Sequence, residues 1–279
     1  MRRFNPLIIK IMSLLFLVLC FMIPVDMVRD LIRDRQFYQS QVEQELTKST
    51  SGEQTIAAPI LVIPYQLVEG KTRTEQRLIV LPEQLNIDGQ VQVSPLKRAI
   101  YTFQTFQSTT ALTGHFSRAP LQTLRAKKGV TLGTPFLAVG VSDARGLGKS
   151  EPFTWAGKRY TFSAGTQLHA LPNGMHAALP LSDWDIAGSA PLNFSIQLNV
   201  NGSSRISYVP LGENTQVTLA GNWPHPKFAG STVTQTRNVM PQGFNASWQS
   251  NWFANNLNTT LPSIENSTAN GGNGSIEQL

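Results

Sequence analysis

The stretch from Pro6 to Val28, PLIIKIMSLLFLVLCFMIPVDMV, constrains this chain more than any other. It is nearly all apolar, and as a helix rising 1.5 Å per residue it covers roughly 34 Å, enough for a hydrocarbon core of roughly 30 Å. Leu7, Ile11, Leu15, Phe16, Leu19 and Phe21 are the expected anchor residues in contact with a lipid bilayer. Lys10 lies close enough to the start to snorkel toward headgroups, and Pro24 and Asp26 mark the other end. Arg2, Arg3 and Lys10 precede the apolar centre, so the positive-inside rule predicts a cytoplasmic N-terminus with residues 29–279 outside. No second run of comparable length follows within these residues, which predicts a single crossing.

A basic start before an apolar run also fits a removable signal peptide. The run is long for that role, and no small-x-small cleavage pattern follows it. The large Leu19 directly before Cys20 argues against lipoprotein processing, so an uncleaved anchor is expected. Cys20 is the sole cysteine, which rules out an intrachain disulfide and leaves packing to hold the rest together.

The net charge is +6, but the first 35 residues carry six Lys/Arg against three Asp, leaving the long remainder only mildly basic. The high pI of about 9.6 therefore reports membrane topology in part, and no nucleic-acid partner is expected. Low charge (14%), 21 Gly, 17 Pro and abundant Thr, Ser, Asn and Gln suit a β-rich extracytoplasmic protein.

Four regions follow from the pattern: a cytoplasmic start and anchor over 1–28, a juxtamembrane helix and turn over 29–52, a large antiparallel β-rich domain over 53–260, and a disordered polar tail over 261–279. Val28, Leu31, Ile32, Tyr38, Val42 and Leu46 recur near a 3.6-residue period, as in a helix. Ile60–Ile63, Leu78–Leu81 and Phe136–Val141 are short apolar runs of strand type, and Arg98 to Phe106 is rich in aromatic and β-branched residues. Leu192, Phe194, Ile196, Leu198 and Val200 alternate with polar residues, and Asn201-Gly202 then predicts a hairpin with a type I′ turn returning over 203–209. Gln216 to Ala220 reads as the next strand. A second alternation runs through Phe244, Ala246, Trp248, Trp252 and Ala254, and Ser250 and Phe253 break it, so a bulge or strand end is expected there.

No site motif stands out. His115, His169, His176 and His225 lack metal spacing, and one cysteine cannot build a thiolate zinc site. No G-x-S-x-G, Walker A or G-x-G-x-x-G occurs, so no metal, cofactor or catalytic set is expected. Asp143 and Arg145 follow a strand; they either engage a charged ligand or cap a turn and pair with each other. His225, held between Pro224 and Pro226, lies in a stiff loop beside Trp223, and Trp223, Trp248 and Trp252 either cover a sheet or offer a carbohydrate or partner surface. Asp143, Arg145, Trp223, His225 and Trp252 are therefore the candidate partner surface. Asp183 and Asp185 flank Trp184 in a loop-like setting poorly suited to acid–base work.

Several segments together resemble the CreD family of bacterial inner-membrane proteins: Ser49–Gly52 leading into Ala58–Pro64, Val141–Gly148, Asn222–Phe228, and Gly243–Leu257. The resemblance runs in order from the anchor to about Leu257. It implies a Gram-negative inner-membrane protein with a large periplasmic domain, tied to envelope stress, envelope integrity and tolerance of colicin or β-lactam. It carries no enzymatic activity and no catalytic residues. Family members continue into several C-terminal membrane helices, so a truncated or partial member is expected here. The leading expectation is a non-enzymatic envelope protein that binds another envelope protein or a cell-wall component. The alternatives are a cell-wall-directed enzyme using Asp143, Asp183 or Asp185, and a sensory or scaffold domain coupled to a sensor kinase.

Overall fold

The structure is a computed structural model that describes residues 6–49, 51–98, 101–184, 188–230, 232–252 and 260–262. It divides into two compact units, one ending at Ser49 and one starting at Thr50.

The first unit is a single helix, α1 (Pro6–Ser49), of 44 residues. The apolar stretch and the 3.6-period segment expected after it are continuous, because Pro24 removes one backbone donor without ending the helix. Within this unit Leu7, Ile11, Leu15, Phe16, Leu19 and Phe21 each expose more than half of their surface. The candidate membrane span is Lys10–Tyr38, with none of it buried. Toward its end, Asp26 and Asp30 pair with Arg29 and Arg33, one turn on, at 3.3 and 3.6 Å.

The second unit is built of strands. β1 (Gln54–Ala57), β2 (Ile60–Glu69), β3 (Thr72–Val80), β4 (Gln84–Arg98) and β5 (Tyr101–Phe116) lead to a short helix, α2 (Ala119–Ala126). Then come β6 (Val130–Leu132), β7 (Phe136–Gly140), β8 (Phe153–Trp155), β9 (Lys158–Tyr160), β10 (Ser163–Ala164) and β11 (Gly174–Ala178). The last group is β12 (Leu192–Ser203), β13 (Ile206–Val209), β14 (Asn214–Gly221), β15 (Thr234–Met240), β16 (Gly243–Asn251) and β17 (Thr260–Pro262).

An eight-stranded sheet runs in the order β15-β16-β14-β4-β5-β12-β8-β9. A seven-stranded sheet runs β10-β11-β7-β2-β3-β17, with β6 also on β2, and β1 pairs with β13. The expected antiparallel architecture holds with two exceptions, since β14–β4 and β1–β13 are parallel. Alternation decides which side of the large sheet is inside: Leu192, Phe194, Ile196, Leu198 and Val200 on β12 and Leu85, Ile87 and Val91 on β4 are all buried. All of these but Val91 share one core with Leu61, Ile63, Leu137 and Val139 of the smaller sheet. Trp155, fully buried, packs on Phe116 and Trp184 at centroid distances of 5.5 and 5.6 Å.

The expected hairpin at Asn201-Gly202 does not form. β12 runs straight through both residues, pairing Asn201 with Gln107 and Gly202 with Phe106, and β13 pairs with β1 instead of returning along β12. Glycine is needed at 202 for close approach, not for a left-handed turn. A Cβ there would meet Phe106 Cζ at 2.5 Å and both Gln54 Cγ and the Gly52 carbonyl oxygen at 2.9 Å. The chain reverses at Ser204, whose φ is +63°. β16 likewise continues through Ser250, which is buried opposite Thr215; Phe253 lies outside the described residues. β17 pairs with β3 from Thr260↔Val80 to Pro262↔Leu78, so the tail boundary expected at 261 falls inside a strand. Residues 263–279 lie outside the described residues.

Candidate functional site

The turn after β7 is a knot of hydrogen bonds. The Asp143 carboxylate accepts from the Arg145 backbone N–H at 3.0 Å and from its guanidinium at 2.6 Å. Hydrogen bonding from the Arg145 side chain holds the Asp143 carboxyl below its ordinary value against the opposing effect of burial. The same turn ties down the start of the β unit. Gln54 Nε2 donates to the Asp143 carbonyl at 3.1 Å, Ser142 Oγ donates to the Glu53 carbonyl at 2.9 Å, and the Thr55 N–H donates back to Ser142 Oγ at 2.9 Å. A Cβ on Gly146 would run into Gln54 and the Asn201 carbonyl. The Val141–Gly148 segment is thus a structural clasp between β1, β7 and β12.

Asp183 is also satisfied. Lys158 Nζ and Tyr160 Oη each donate to its carboxylate at 3.0 Å, which holds its pKa below the ordinary value, Lys158 first. Burial, followed by the Asp183 carboxylate, pushes the Tyr160 phenol up to about 12. Asp185 lies outside the described residues, so the carboxylate pair around Trp184 has one described member. Among the described residues no group of three or more His, Cys, Asp or Glu is placed to hold a metal ion.

The aromatic cluster splits. Trp223 Nε1 donates to the His225 carbonyl at 2.9 Å, and the two rings meet edge-on at 6.1 Å. Trp248 and Phe244 pack on Phe228 at 5.6 and 5.7 Å, and the Arg237 guanidinium lies 5.0 Å over that ring. Trp252, 38% exposed, follows the far end of β16. Because Asn214 pairs with Asn251 and Gly221 with Phe244, Trp252 and Trp223 sit beyond opposite ends of the β14–β16 pair, whose paired length is roughly 23 Å. Asp143 and Arg145 do share an end of the sheet with Trp223. Gly148 donates to the Asn199 carbonyl at 2.7 Å on β12, and register then steps from Asn201 to Gln107, Gln92 and the Asn222 side chain. The five expected partner-surface residues are thus not one patch.

Sequence reasoning missed the surface between them. On β12, β5, β4, β14 and β16 the outward positions form rows across the sheet, such as Ser195–Thr113–Asn86–Gln216–Gln249 and Asn199–Thr109–Gln90–Ala220–Asn245. Between Gln84 and Gln92, Gln107 and His115, Asn193 and Asn201, Asn214 and Ala220, and Asn245 and Asn251, every outward residue is Asn, Gln, Ser or Thr except Asp88, His115, Ala111 and Ala220. None is buried, and none is Lys or Arg. At the end nearest Trp223, a shallow cleft of about 400 Å³ opens between this face and the β15–β16 turn. Gln90, Gln92, Gln107 and Gln242 line it with Met240 and Phe244. Asn222 is committed, its side-chain amide pairing with both the N–H and C=O of Val93 at 2.7 and 3.0 Å as a further strand residue would. The signal was present in the sequence: the polar halves of the two alternating segments, Asn193-Ser195-Gln197-Asn199 and Asn245-Ser247-Gln249-Asn251, hold no charge.

A family model described as inner membrane protein CreD matches residues 6–277. The inner membrane protein CreD of Escherichia coli (strain K12) is 38% identical over 261 residues, which cover 91% of this chain and 57% of that protein. This chain therefore spans a little over half the length of that relative. No solved structure matches it.

Proposed function

Because the chain belongs to the CreD family of inner membrane proteins, we propose that α1 anchors it with a cytoplasmic N-terminus and that the β unit works in the periplasm. There it contributes to envelope integrity under stress by binding an envelope component, without catalysing a reaction. The observation that carries this reading is the exposed apolar surface of α1. Burying a large aliphatic or aromatic side chain is worth about 1.5–3 kcal/mol. Even half of that for each of the apolar residues exposed from Leu7 to Val28 amounts to more than about 10 kcal/mol in favour of lipid. Arg2, Arg3 and Lys10 before the apolar centre support the orientation. Support for a binding role comes from the carboxylates that stood as candidate acids: Asp143 and Asp183 are each engaged by a neighbouring cation.

The test is disruption of the chromosomal copy in the source bacterium, with complementation by the full chain. Dye uptake and β-lactam tolerance report the envelope, and protease added to spheroplasts reports the side on which the β unit lies. The expected result is a leakier, more sensitive envelope restored by the chain, and digestion of the β unit from outside. An unchanged envelope, or a β unit protected in intact spheroplasts, would overturn the reading.

A further inference from the structure

We propose that the uncharged outer face of the eight-stranded sheet, at the cleft lined by Gln90, Gln92, Gln107 and Gln242, binds the β-1,4-linked N-acetylhexosamine backbone of the cell wall. This names the envelope component in the function proposed above and rests on that reading. The chemistry of the face selects the ligand. Each glutamine amide offers two donors and one acceptor, a set that matches the hydroxyls and acetamido groups of such a chain. Among the described residues the side chains of these four glutamines have no hydrogen-bond partner within the protein, so their capacity is free for a ligand. Nearby amides are used: Asn222 completes the strand ladder at Val93, and Asn199 Oδ1 accepts from Thr109 Oγ1 at 3.1 Å.

Charge argues against the anionic components of an envelope. With no Lys or Arg among the outward residues of 84–92, 107–115, 193–201, 214–220 and 245–251, and Asp88 among them, a phosphate or carboxylate would find no counter-ion on this part of the face and one repulsive neighbour. An uncharged polymer meets neither penalty. Met240, 45% exposed, and Phe244 add apolar surface to the cleft against which the C–H face of a pyranose can rest. A cleft of about 400 Å³ falls in the ordinary range of small-ligand sites. The rows of amides and hydroxyls continue from it across five strands, which suits an extended chain better than a compact ligand.

The probe is tetra-N-acetylchitotetraose, titrated calorimetrically into the full chain in detergent, with isolated sacculi in a parallel sedimentation assay. Binding in both is expected, with affinity unchanged on raising salt from about 0.05 to 0.5 M, because no ion pair is made for salt to screen. Gln90→Ala with Gln107→Ala is expected to weaken binding about tenfold, consistent with the modest net worth of individual hydrogen bonds. Both residues are exposed, and an unchanged melting temperature confirms that the variant is folded. Absence of binding to the tetrasaccharide, loss of binding in high salt, or full affinity in the folded double variant would each overturn the proposal. Those results leave the envelope phenotype standing. A β unit protected in spheroplasts alongside intact tetrasaccharide binding would instead overturn the periplasmic reading on which the wall assignment rests.

Discussion

Replacing Gly202 by alanine tests how the chain is routed through the centre of the fold. If Asn201-Gly202 made a two-residue turn, the residue would face solvent with φ > 0, and alanine would cost about 1 kcal/mol through backbone strain alone. In the observed strand the added Cβ meets the Phe106 ring edge, the Gln54 side chain and the Gly52 carbonyl oxygen, all within 2.9 Å. That is overpacking, worth about 1–3 kcal/mol. The size of the loss does not separate the two routes, but its coupling does. Phe106 lies directly across from Gly202 on β5 and is buried, so Phe106→Leu removes the atom closest to the new methyl group. Gly202→Ala should therefore cost less in the Phe106→Leu background than in the wild type, with a coupling of about 0.5 kcal/mol or more. Urea unfolding of the full chain in detergent, followed by fluorescence of the buried Trp155–Trp184 pair, measures all four corners of the cycle. Strict additivity would refute the strand route, because a solvent-facing turn has no means of sensing residue 106.

Three further outcomes follow from the geometry. The Asp143 carboxyl is held below its ordinary value in the folded chain, so its stabilising contribution is present above about pH 4 and fades as pH falls through the lower folded value. Asp143→Asn should flatten the acid limb of a stability–pH curve, and an unaltered limb would refute this. Tyr160 behaves oppositely: with a folded value of about 12 against an ordinary value of about 10, its contribution is complete below pH 10 and is lost between there and pH 12. Unfolding midpoints of the wild type and Tyr160→Phe should converge across that window, and parallel curves would count against a phenol raised by burial and by Asp183. Leu15→Arg with Leu19→Arg introduces about 5–7 kcal/mol of insertion penalty into the middle of the apolar stretch and should move the chain into the carbonate-extractable fraction. Retention of the double variant in washed membranes would show that another element holds the chain there.

Local pattern made much of the fold legible, and long-range pairing supplied the rest. Ile60–Ile63 and Phe136–Val139 stand out because strands buried on both faces need unbroken apolar runs, while β12 stands out because one of its faces is wet. Asn201-Gly202 misled for a physical reason. The dipeptide that favours a tight turn also supplies a strand position with no Cβ, and only the location of Phe106 and Gly52 decides between the two. The site was less visible than the fold. Asp143 and Arg145 could be read as a mutual pair, but the gathering of Gln90, Gln92 and Gln107 depends on which strands become neighbours, which no local spacing encodes. The tryptophans misled in a similar way, since adjacency in sequence set Trp223 and Trp252 at opposite ends of a strand pair.

The parallel β4–β14 pair sets a timetable for the molecule. Val93 must wait for Asn222, 129 positions later, before its edge is covered. Until then the β4–β5 hairpin stands as a long ribbon with an unsealed border open to any passing strand. Late, distant closure of this kind slows folding and favours an escorting chaperone over spontaneous assembly. A chain terminated before Asn214 would be a sticky half-sheet rather than a smaller working protein.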